Sequence, residues 1–144
     1  MMVGTFIATP ADPQGRSFKV PVTTLDEPIG TQQEMAAKIY ELASFVMSKS
    51  YPGKEKRKST EVSVDLPKDY YGFAVSCIGP LGENFILTIA VKDVTMALFS
   101  YAVETCKPRI GAIVDGLIET GKIRRELMED LHLWLERELD SFKL

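Results

Sequence analysis

Histidine occurs once in these 144 residues, tryptophan once and cysteine twice. A lone histidine, His132, leaves a Ser–His or Cys–His mechanism a single candidate base, in the middle of an amphipathic helix. With no second histidine and no close cysteine pair, zinc or iron spacing is missing, and neither a metal nor a cofactor is expected. Cys77 and Cys106 lie far apart in apolar surroundings and read as buried free thiols rather than a disulfide framework. Long hydrophobic runs are missing too. The longest, Phe85–Val91, falls far short of the roughly 18 residues of a membrane span. Met1–Pro10 lacks the charged start and long apolar stretch of a signal peptide, so the cytoplasm is the expected compartment, without membrane contact. An excess of positive charge is missing as well. A net charge of −3 and a pI near 5.2 argue against a protein devoted to nucleic acid.

What is present suits one α+β domain over residues 1–144, and 45% hydrophobic residues can fill its core without staples. Residues 1–30 hold Pro10, Pro13, Pro21 and Pro28 with Gly4, Gly15 and Gly30, and are expected to be irregular or extended, with Ser17–Thr23 as an edge strand. Thr31 and Glu34 have capping-box spacing, and Met35, Ile39, Leu42 and Val46 continue as a helical stripe that Pro52-Gly53 ends. Thr60–Leu66 alternates strictly and predicts a half-buried strand. Tyr71–Ile78 and Phe85–Lys92 predict a hairpin with large side chains on one face and Gly72, Ala74, Ser76, Thr88 and Ala90 on the other. Asp93 reads as an N-cap, Pro108 as the first turn of a further helix and Gly121 as a stop. The expected order is β-α-β-β-β-α-α-α: an antiparallel sheet of three or four strands, an N-terminal helix and three consecutive C-terminal helices.

Several constellations bear on function. Gly116–Lys122 has the glycines and lysine of a phosphate loop, but Ile123 stands where a magnesium-binding hydroxyl is needed, and a helix stop explains the glycines. Asp65, Asp69, Glu83 and Asp93 flank the hairpin and could converge as paired carboxylates, although strand ends commonly carry such acids as caps. Lys54, Lys56, Arg57 and Lys58 form a basic loop able to contact a few phosphates, or simply a solvated one. A small-molecule binder or hydrolase would use the small-residue face of the hairpin.

The last predicted helix, Lys122 to about Phe142, is the strongest clue. Lys122, Arg124 and Arg125 open it, and Glu136, Glu138 and Asp140 close it, against the direction the helix dipole favours. At 100° per residue Leu127, Leu131 and Leu135 fall in one apolar arc of about 160° that also holds Arg124 and Glu138, while Leu133 lies opposite. Two copies pairing antiparallel about Leu131 would bring Leu127 to Leu135 and Arg124 to Glu138. These observations lead to a non-enzymatic protein-interaction or regulatory module that acts as a homodimer. An anion- or nucleic-acid-binding protein using the basic loop ranks second, and a pocket on the hairpin third.

Overall fold

The computed structural model describes residues 2–11, 16–48 and 59–140, with the backbone alone at 45–48. Five antiparallel strands, β1 (Met2–Pro10), β2 (Phe18–Thr23), β3 (Ser59–Asp65), β4 (Tyr71–Ile78) and β5 (Asn84–Lys92), form one sheet in the order β2-β1-β5-β4-β3. Helix α1 (Gln32–Ser48) covers one face, and α2 (Met96–Thr120) and α3 (Arg125–Asp140) cover the other. The class is the expected α+β, with one strand more and one helix fewer.

The added strand is β1. Its prolines and glycines had argued for irregular chain, but Pro10 sits at the strand's end and Gly4 answers a packing need. A Cβ on Gly4 would stand 2.1 Å from Leu25 Cδ2. Val3 and Ile7 face α2 and α3, Phe6 and Ala8 face α1, and Gly4–Ala8 are buried on both sides. An interior strand of this kind shows no polar alternation. The expected edge strand forms as β2, next to β1.

The missing helix boundary is at Pro108, which lies inside α2. Proline there removes the bond to the Glu104 carbonyl, but both residues are exposed, so water can serve that oxygen. The cap of α2 is Thr95, whose Oγ1 accepts from Leu98 N–H at 3.3 Å, rather than Asp93. Asp93 instead turns the chain at φ 60°, and the next carbonyl, of Val94, accepts from the Tyr71 hydroxyl. Gly121 ends α2 in the left-handed region at φ 68°, donating to the Leu117 carbonyl. At α1 the capping box forms in full: Glu34 N–H donates to Thr31 Oγ1 and Thr31 N–H to Glu34 Oε1, both at 3.1 Å.

The two faces divide the core. Large side chains of β4 and β5 (Val75, Leu87, Ile89, Val91) pack on Phe99, Val103, Ile110, Met128 and Leu131. On the opposite face Ala74, Ile86 and Ala90 lie under Met35, Ile39 and Leu42 of α1. Small residues there let α1 sit close enough for the Ser76 hydroxyl to donate to the Leu42 carbonyl at 2.7 Å.

Candidate functional site

The residues assigned to self-association do not share one free face. Leu131 and Leu135 are 0% exposed within their own chain, where α3 packs on β1 and α2, and Leu127 is partly buried against the same core. A second copy laid along α3 would have to meet the exposed Leu133 instead. Arg124 precedes the helix, its carbonyl accepting from Met128 N–H, and its side chain meets Glu126 at 3.1 Å in its own chain. The dipole conflict is correspondingly smaller than the sequence suggests. Lys122 and Arg124 stand outside α3, Glu126 joins Arg125 in its first turn, and Arg137 sits among the acids of its last turns. Glu138, near the far end, is half-buried.

The anion-binding candidates Lys54, Lys56, Arg57 and Lys58 lie outside the described residues. Gly116 and Gly121 belong to one helix and its cap, so no phosphate loop forms at Gly116–Lys122. The hairpin acids separate. Glu83 sits at the β4–β5 turn, accepting from Leu81 N–H at 2.6 Å, whereas Asp65, Asp69 and Asp93 lie toward the other end of the hairpin. Among the described residues no group of three or more His, Cys, Asp or Glu is placed to hold a metal ion. The small-residue face is filled rather than open: Ala74, Ser76, Thr88 and Ala90 are buried beneath α1. Cys77 and Cys106 are free and buried, and burial pushes the Cys77 thiol up to about 12. No described helix is long and apolar enough to cross a membrane.

His132 is less ordinary than its position in the sequence implies. Its Nε2 is 2.8 Å from Glu136 Oε1 and its Nδ1 is 3.1 Å from Thr24 Oγ1. An acid, an imidazole and a hydroxyl in a row have the form of a nucleophile relay. Thr24 Oγ1, however, already accepts from Thr5 N–H at 2.8 Å, and Thr24 N–H donates to the Thr5 carbonyl at 2.9 Å. Thr5 is fully buried, and neither of the two cavities described below is lined by Thr24 or His132. The row therefore ties α3 to the end of β2.

The two sheet edges differ. β2 carries Pro21 and Lys19, and its pairing with β1 shifts register between Ile7 and Thr9; proline, lysine and a bulge all blunt an edge. β3 has none of these interruptions. It pairs with β4 in unbroken register from Ser59↔Cys77 to Asp65↔Tyr71, and with no other described strand. Leu66 N–H donates to the Tyr70 carbonyl, so by antiparallel alternation Thr60, Val62 and Val64 turn their backbone groups toward β4. Glu61, Ser63 and Asp65 turn theirs outward. Beside them, between β3–β4 and α2, runs a cavity of about 380 Å³ lined by Ser63, Asp65, Phe73, Met96 and Glu104, among others. At its side Lys107 reaches Glu61 at 2.7 Å and lies over the Phe73 ring at 5.1 Å. Sequence alternation marks β3 as a strand; its place at an edge depends on pairings far away in the chain.

A second cavity, of about 500 Å³, lies between β1–β2, the 24–31 segment and the start of α1. No family model, no curated protein and no solved structure matches this chain.

Proposed function

We propose that the chain is a non-enzymatic interaction module that assembles as a homodimer, with the second copy docking along the outer edge of β3. The observation that carries this reading is the contrast between the edges: β2 is interrupted, while β3 offers seven regular residues with outward-facing donors and acceptors at Glu61 and Ser63.

Charge selects the register. Pairing β3 with its copy about Val62 uses the whole strand and sets Glu61 opposite the partner's Ser63, and Ser59 opposite the partner's Asp65. Outward backbone groups then meet outward backbone groups, as an antiparallel ladder requires. Shifting by two residues either way opposes Glu61 to the partner's Glu61 or to the partner's Asp65, and like charges directly opposite are unfavourable. On the α1 side the half-buried Val62 would meet its own copy across the two-fold axis. The two buried free thiols suit a reducing compartment, which supports the cytoplasm as its location.

Light scattering tests the reading. The chain is expected at about twice its 16.0 kDa mass at micromolar concentration. Ser63→Pro removes an outward N–H without touching the β4 ladder, and should give a monomer with an unchanged circular dichroism spectrum. Exchanging the charges that flank the α3 leucines, with Arg124→Glu just before the helix and Glu138→Arg near its end, should leave the dimer intact. A monomeric native chain, or a dimer that survives Ser63→Pro, overturns the proposal; loss of the dimer in the charge-exchange variant would move the contact to α3.

A further inference from the structure

The cavity of about 500 Å³ on the α1 side of the sheet has the size of a small-molecule site, for which about 300–1,000 Å³ is usual. Its walls are apolar: Phe6 from β1, Phe18 and Val20 from β2, Leu25 and Ile29 from the connecting segment, and Met35 from α1. The segment that forms one wall is fixed at both ends. Leu25 occupies the space that a Cβ on Gly4 would need, and Pro67 stands 2.7 Å from the Cβ position of Gly30. Thr24 adds two hydrogen bonds to the Thr5 backbone, one from its own N–H and one through its hydroxyl, so the wall exists before any ligand arrives.

Asp26 and Glu27 are the charged residues of this lining, and both are exposed. Neither has an ion pair or hydrogen bond among the described residues, and no lysine or arginine lines the cavity. A fatty-acid-like anion would meet two carboxylates with no cation to hold it. A molecule with an apolar body and a protonated amine would satisfy walls and rim together. We infer that the cavity binds a small organic cation of this kind, body between Phe6 and Met35 and charge at Asp26 and Glu27. This inference does not depend on the β3 contact.

Calorimetric titration with octylammonium and, separately, octanoate distinguishes the outcomes, with NMR to locate binding through the Phe6 and Met35 signals. Octylammonium is expected to bind and octanoate to bind more weakly. The double variant Asp26→Asn, Glu27→Gln should weaken octylammonium by about threefold to tenfold, the scale of exposed charge pairs, and should erase the preference. Because the overall charge of −3 attracts any cation, an affinity unmoved by that variant overturns the inference. Equal binding of both probes, or binding of neither at millimolar concentration, as expected if polypeptide covers the cavity, overturns it as well.

Discussion

The guanidinium of Arg109 lies 3.9 Å over the ring of Trp134, and its Nε donates to Asp130 Oδ2 at 3.0 Å. One side chain of α2 thus holds two positions of α3. The Asp130 carboxylate is largely exposed and adds little, so most of the contribution comes from the stacked, partly buried guanidinium.

Arg109→Ala should accordingly lower stability by about 1–2 kcal/mol in urea titration. Arg109→Lys keeps the charge but loses the planar stack and should recover less than half of that. Trp134 is the single tryptophan, so its native fluorescence reports the lost cation directly.

Gly111 and Gly116 lie inside α2, and a Cβ added at either meets nothing within 4 Å. Glycine in a helix interior is about 0.5–1 kcal/mol worse than alanine because more backbone freedom is lost on folding. Gly111→Ala and Gly116→Ala should each raise the urea midpoint by a shift of that order, and the pair should be additive. A lower midpoint would mean that the space beside α2 is used.

The capping box makes α1 sensitive to acid. The Thr31 backbone N–H, with its hydroxyl, holds the Glu34 carboxyl below the ordinary carboxylate value. A carboxylate whose folded value is depressed stabilises the protein fully above its unfolded value, near pH 4.3, and loses that contribution as pH falls through the folded value. Glu34→Gln should therefore flatten the acid limb of stability against pH. Thr31→Ala should cost about 1 kcal/mol at neutral pH and flatten the same limb. An unchanged acid limb in both would detach Glu34 from the cap.

Local chemistry was legible where it had one dominant signal. Alternation marked β3, β4 and β5, the Thr31–Glu34 spacing marked the start of α1, and Gly121 marked a real break. Pro108 misled because proline is tolerated in a helix whose freed carbonyl faces water, which spacing does not reveal. β1 was hidden by its own burial: a strand covered on both faces has no polar stripe, and Gly4 reads as a breaker until Leu25 is placed over it. Helical spacing put Leu131 and Leu135 on one face of α3 but also drew in Arg124, which precedes the helix, and an arc does not say whose core it enters; Leu131 and Leu135 enter their own. The edge of β3 depends on the order of the whole sheet, and the cavity near Asp26, lined by residues between Phe6 and Met35, depends on how β1, β2 and α1 pack; no local pattern announces either.

β1 and β2 come from the first part of the chain, and β3, β4 and β5 from its middle. Among the described strands, the ladder from Met2↔Lys92 to Ala8↔Ile86 is what joins the two groups. On a ribosome adding about 5–20 residues per second, β1 therefore waits about 4–16 s after Pro10 for Lys92 to be made. During that interval the backbone edge that β1 later gives to β5 has no strand to pair with. Yield during synthesis should then depend on how β1 is shielded while it waits.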